Sequence, residues 1–178
     1  MHPIIQWNLQ SYYTHFSDLK CLIKEHSPSV LCLQETCISP NRRTFPPSSY
    51  NLFTSNPTRN DLHERGTAVL VHRKLFNQEI ELNTNLQATA VRVGLGKLYT
   101  VCSLYLPHLP VNTLKQDLNN LMDQLPEPFI LLGDMNARSS MWGDTIANPN
   151  QRGTIIEQLL LERSVSYTHL TLPTNREV

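Results

Sequence analysis

The stretch FILLGDMNARSSMWGD, Phe129 to Asp144, decides how the chain is read. Phe129 to Leu132 is a short, apolar, β-prone run of the kind that forms a buried strand. Gly133 breaks it. Asp134 and Asn136 follow, a carboxylate and a carboxamide two positions apart. An Asx turn would use such residues to fold the chain back on itself. An active site would use them to hold a water or a metal at a strand end. Only the rest of the chain separates these readings.

Upstream, Leu114, Leu118, Leu121, Met122 and Leu125 recur at helical spacing, with Asn112 or Thr113 as cap and Pro126 and Pro128 as stop. Downstream, residues 154–163 place Ile155, Ile156, Leu159 and Leu160 on one side of a last helix. Further out, Ile4 to Trp7, Val30 to Leu33 and Gly66 to His72 read as strands, and Tyr50 to Thr54 as a shorter one. Ala88 to Val93 and Leu98 to Leu104 flank a Gly-Leu-Gly turn and predict a hairpin. Leu19, Leu22, Ile23 and His26 share a helix face that ends at Ser27-Pro28. Residues 36–49 and Asn56 to Arg65 read as polar loops, and Leu104 to Pro110 leaves its strand through two prolines. Strands alternating with helices, one hairpin and no internal repeat predict a mixed α/β layered domain.

Composition agrees. With 178 residues, 40% apolar and 17% charged, the chain has room for one globular core and lacks the signature of disorder. It holds no apolar run near the ~18 residues of a membrane span and opens with no basic-then-apolar leader, which predicts an intracellular protein with no membrane partner. Cys21, Cys32, Cys37 and Cys102 form no C-x-x-C pair and read as reduced, mostly buried thiols rather than zinc ligands. A net charge of +0 offers no bulk attraction to nucleic acid. An enzyme can still neutralise a few phosphates locally with a metal and a short basic patch. Arg42 with Arg43, and Arg73 with Lys74, are the basic pairs, and a solvated loop is the simpler reading of each.

The question raised by Asp134 widens at the other strand ends. Asn8 follows the first strand, Glu35 the second, and Tyr105 the second arm of the hairpin. Each alone has a local explanation: a helix cap, a solvated end, an edge tyrosine. Four strands ending in functional groups suit a site, because rigid strands place side chains while loops leave room for substrate. Glu35 and Asn8 supply two oxygen ligands of the kind a hard Mg²⁺ takes. Asp134 would orient or deprotonate a water, Asn136 would hold it, and Tyr105 would donate to a phosphate oxygen. That is metal-assisted hydrolysis of a phosphoester.

The segments IIQWNLQS, LCLQET, RGTAVLVHR, SLYLPH and LLGDMNARSSMWGD, in that order, resemble the endonuclease/exonuclease/phosphatase superfamily. SSMWGD followed by NQRG is most similar to the endonuclease domain that precedes reverse transcriptase in non-LTR (LINE-like, including Jockey-type) retrotransposons. The resemblance covers roughly residues 3–164. It implies a four-layered α/β-sandwich and a divalent metal, usually Mg²⁺, with Mn²⁺ as a substitute. It implies an enzyme that nicks chromosomal target DNA so that the freed 3′-hydroxyl primes reverse transcription of element RNA, which places the parent protein in the nucleus. On matching positions, Glu35 would ligand the metal and Asn8 would support it and the phosphate. Tyr105 would contact the scissile phosphate, and Asp134 with Asn136 would position and activate the water.

The family pattern ends in a further acidic residue and a Ser-Asp-His, and no Ser-Asp-His occurs in these 178 residues. After Ser164 the sequence departs from the pattern. VSYTHLTLPT, Val165 to Thr174, resembles the translation of a transposase mosaic-end sequencing adapter, with a natural β-prone strand as the alternative. The expectation is therefore an endonuclease domain over residues 1–164, incomplete at its C-terminus and inactive as it stands, followed by a non-native tail over 165–178. The rival readings are another superfamily phosphoesterase (abasic-site nuclease, sphingomyelinase or inositol-phosphate phosphatase) and a non-catalytic nucleic-acid-binding fragment.

Overall fold

The computed structural model describes residues 2–39, 41–55, 65–108, 111–142 and 150–163. The expected tail, most of the polar loop after Thr54 and part of the stretch after Trp142 lie outside them. The elements run β1 (Ile4–Asn8), α1 (Phe16–His26), β2 (Val30–Gln34), β3 (Tyr50–Thr54), β4 (Thr67–His72), β5 (Asn77–Ile80), β6 (Gln87–Gly94), β7 (Leu98–Tyr105), α2 (Leu114–Asp123), β8 (Phe129–Asp134) and α3 (Gln151–Glu162). A 3-10 turn covers Ser140–Trp142.

The chain divides into two compact units: residues 1–109 with 117–135, and residues 110–116 with 136–178. The first contains both sheets, ordered β1-β2-β4-β3 and β5-β6-β7-β8. Each sheet is antiparallel except at one edge, where β1 pairs with β2 and β7 with β8 in parallel. The sheets pack face to face through Val30, Cys32, Val69 and Val71 of one and Val91, Val93 and Val101 of the other. The alternate residues of the first sheet, Leu31, Leu33, Ala68 and Leu70, face away and pack with Leu9, Tyr12 and Leu19 under α1. Both faces of β2 are thus covered, which is why its run is apolar throughout instead of alternating.

The expected strands and helices are present, and β5 is an addition. Its sequence, Asn-Gln-Glu-Ile, is polar because its two middle residues face water. On α1, Leu19 is buried and Leu22 and Ile23 pack at the core's margin, but His26 is exposed. The four cysteines are free, yet only Cys32 and Cys102 are buried, against the expectation for the set. Cys21 and Cys37 lie on the surface. Burial pushes both inner thiols up, Cys102 to about 12.

Gly133 answers half of the opening question. It sits inside β8, level with Leu104 of β7, and a Cβ there would run into the Leu104 carbonyl. The glycine therefore permits close approach of two strands. It does not begin a turn, and Asp134 is the last residue of the strand.

Candidate active site

The two parallel edges deliver their polar residues to one end of the sandwich. Asn8 is the last residue of β1, level with Gln34, and Tyr105 is the last of β7, level with Asp134. Glu35 stands one residue beyond β2. Across the sheets, the Asn8 side-chain Nδ2 donates to Glu35 Oε1 at 2.9 Å and to Asp134 Oδ2 at 2.7 Å. One amide nitrogen thus bridges two carboxylates that are ninety-nine positions apart (35 to 134) in the chain. The Tyr105 hydroxyl donates to Glu35 as well, and the Arg65 guanidinium forms an ion pair with Glu35 Oε2.

Electrostatics follow from that packing. Burial pushes the Glu35 carboxyl up, but hydrogen bonds from Asn8 and Arg65, the Arg65 charge and the Tyr105 hydroxyl outweigh it, and the net displacement is down. Glu35 is therefore ionised although only 8% exposed. Burial, then the Glu35 charge beside it, pushes the Tyr105 phenol up, so the hydroxyl remains a donor.

The backbone around Glu35 is held in an uncommon form. Glu35 and Cys37 both have φ near +50°, at 51° and 50°, a region that costs a residue with a Cβ about 1–2 kcal/mol. The loop is tied down by Thr36 N to Gly66 O at 3.2 Å, Cys37 N to Arg65 O at 2.7 Å and Tyr12 N to Thr36 O at 2.8 Å. Left-handed residues gathered at a polar strand end are a recurrent mark of functional sites.

Sequence reading missed three residues that hold this arrangement. Gln34, fully buried, donates from Nε2 to Ser103 Oγ at 2.9 Å and accepts from Gln6 Nε2 at 2.6 Å. Ser103 Oγ in turn donates to the Leu33 carbonyl at 2.9 Å. This chain of bonds pins β2 to β7 one residue before Glu35 and two before Tyr105. The signal was a glutamine closing an apolar strand, since a buried amide needs partners. Arg65 is the third; it closes a polar loop, and nothing in its local sequence marks Glu35 as its partner.

Asn136 belongs to the second unit, two positions after Asp134, with φ of +47° and partial burial. In that unit, Asn150 caps α3 by accepting from Gly153 N at 2.7 Å, and the same Oδ1 accepts from Arg138 N at 3.1 Å. Asn150 N returns a bond to the Arg138 carbonyl at 3.2 Å. A Cβ on Gly153 would strike that carbonyl. The Asn-Gln-Arg-Gly segment therefore fastens the stretch that carries Asn136 to the start of α3.

The site residues in the first unit fit a hard divalent cation. Glu35 offers carboxylate oxygens of the kind such a cation takes, and Asn8 could add its Oδ1, which here accepts from Gln10 N while Nδ2 faces both carboxylates. Among the described residues no group of three or more His, Cys, Asp or Glu gathers to hold a metal.

A profile of the endonuclease/exonuclease/phosphatase family matches residues 5–176. The chain belongs to that family. Among curated relatives it is similar to the probable RNA-directed DNA polymerase from transposon X-element of Drosophila melanogaster, 24% identical over 166 residues, covering 91% of this chain and 18% of that protein. It is also similar to the RNA-directed DNA polymerase from mobile element jockey of the same organism, 23% identical, covering 86% of this chain and 17% of that protein. The chain thus spans under a fifth of the length of these relatives. Among solved structures, the endonuclease domain of TRAS1, a telomere-specific non-LTR retrotransposon, matches with TM-score 0.71 at 20% identity, covering 90% of this chain and 71% of that one. The AP endonuclease LMAP from Leishmania major matches with TM-score 0.67 at 13% identity, covering 90% and 66%. These likenesses show the fold of the family's nucleases. No helix among the described residues is long and apolar enough to cross a membrane.

Proposed function

We propose that the chain is the endonuclease part of a non-LTR retrotransposon protein, a metal-dependent hydrolase that nicks target DNA to prime reverse transcription. The observation that carries this reading is the Asn8 amide bridging Glu35 and Asp134, with Tyr105 on the same carboxylate. The similarity to two RNA-directed DNA polymerases of mobile elements supports a reverse transcriptase domain as a partner in the parent protein. Element RNA as a further partner and work in the nucleus follow from the family resemblance alone.

Glu35 and Asn8 would hold Mg²⁺, or Mn²⁺ in its place. The bound cation would draw charge from the non-bridging phosphate oxygens as the nucleophile adds. The chain's own groups divide the remaining work. Asp134 would align a water and take its proton on the carboxylate as the water oxygen bonds to phosphorus and the P–O3′ bond breaks, the leaving 3′-oxygen taking a proton from solvent. The family resemblance gives Asn136 the part of holding that water by its carboxamide. The protonated Tyr105 hydroxyl donates to a phosphate oxygen. Asn8, already bonded to both carboxylates, keeps their separation constant, so little reorganisation is needed as charge develops.

The test is conversion of supercoiled plasmid to nicked circle in Mg²⁺ by the chain carried on into its parent sequence through the Ser-Asp-His motif. Nicking that disappears in Glu35→Gln and Asp134→Asn supports the reading. No nicking by the extended protein, or nicking that survives both substitutions, refutes it.

A further inference from the structure

Glu35 already carries a cation. The Arg65 guanidinium sits on Oε2, the oxygen that Asn8 leaves open, since the Asn8 amide is on Oε1. The two partners differ in exposure: the Glu35 side chain is 11% exposed and that of Arg65 50%. The buried carboxylate is thus closed from the solvent side by a side chain whose own body lies half in water. The backbone beneath Arg65 is fixed. Its carbonyl accepts from Cys37 N, and the next residue, Gly66, donates from N to Gln87 Oε1 at 2.7 Å and accepts at its carbonyl from Thr36 N. Gly66 has φ of +72° and would meet Thr36 Oγ1 with a Cβ, so the turn that aims residue 65 at Glu35 is built for glycine. The backbone at the root is anchored, while the side chain that reaches Glu35 is half exposed, which is the arrangement of a removable plug.

Two like charges joined through one amide cannot stay bare at low cost, and a guanidinium on Glu35 supplies the compensation without a metal. A divalent cation on the same carboxylate would repel it. We propose that Arg65 is a displaceable counter-ion of Glu35. It keeps the site charged and ordered in the metal-free protein, and it competes with the metal for the carboxylate, so that loading the site expels the guanidinium toward solvent. This rests on Glu35 being a metal ligand.

The sign of one measurement separates this from a structural role. Isothermal titration of the 178-residue chain with Mn²⁺ is compared for wild type, Arg65→Gln, Arg65→Lys and Glu35→Gln, with circular dichroism to verify folding. Competition predicts tighter Mn²⁺ binding in Arg65→Gln by about three- to fivefold, with Arg65→Lys near wild type and binding abolished in Glu35→Gln. It also predicts a larger rise in Tm on adding Mn²⁺ for Arg65→Gln than for wild type. Unchanged or weaker binding in folded Arg65→Gln overturns the counter-ion proposal while leaving the metal reading intact, and unfolding of both Arg65→Gln and Arg65→Lys would make Arg65 a structural residue and overturn it too. Binding that is undiminished by Glu35→Gln, or absent from every variant, overturns the metal reading and the proposal with it.

Discussion

Strands β2 and β8 each lead to a carboxylate of the candidate site, Glu35 just beyond β2 and Asp134 at the end of β8, and they hold it differently. β2 pairs with β1 and β4, all five of its residues are buried, and Glu35 beyond it receives bonds from Asn8, Arg65 and Tyr105. β8 lies at the end of its sheet, pairs with β7, and is half-buried along its whole length. Its Asp134 is linked to the first sheet through Asn8. Under the proposed function, Glu35 beyond the buried strand would hold the cation, and Asp134 on the less buried strand would meet the water and take its proton. One site can need both.

The strongest way to break the comparison is to neutralise each acid in the extended protein. Glu35→Gln and Asp134→Asn are each expected to lower turnover by about 10²-fold or more. Only Glu35→Gln should also remove Mn²⁺ binding in calorimetry, and equal loss of binding in Asp134→Asn would erase the distinction. Truncation of the strands comes next. Leu31→Ala should cost about 3 kcal/mol in urea unfolding, and Leu131→Ala about half that, because Leu31 is fully buried and Leu131 is not. Equal costs would show β8 to be as tightly held as β2.

Gly133→Ala should destabilise by about 1–3 kcal/mol, since the new methyl meets the Leu104 carbonyl. A thermal shift indistinguishable from wild type would mean that the two strands separate easily. The smallest effect is pH-dependent. The folded Glu35 carboxyl lies below its ordinary value of 4.5. Its stabilisation is therefore complete above that value and is lost as the pH falls through the lower folded one. Tm measured from pH 6 to pH 3 should fall more steeply for wild type than for Glu35→Gln, and parallel curves would contradict the ion-pair account.

Much of the fold was legible because its signals are local. Val30 to Leu33 and Gly66 to His72 are compact β-prone runs, and the helices of Leu19 and Leu118 show their period directly. β5 was illegible, since a strand with water on its middle residues carries no apolar mark. Asn8, Glu35, Tyr105 and Asp134 could be singled out because each closes a strand. Their mutual contacts could not, because hydrogen bonds between residues 8 and 134 leave no trace in local pattern.

The sequence by itself determined where the helices and every strand but β5 form, that polar groups stand at the ends of four strands, and the family to which their order belongs. Tertiary structure alone decided which strands share a sheet, that two parallel edges bring Asn8 to both carboxylates, that Gly133 serves strand approach, and that Arg65 pairs with Glu35. The physical reason is range. Propensity and periodicity act over a few residues, while the charge environment of a buried carboxylate is set by whatever the packed sheets bring within hydrogen-bond distance of it.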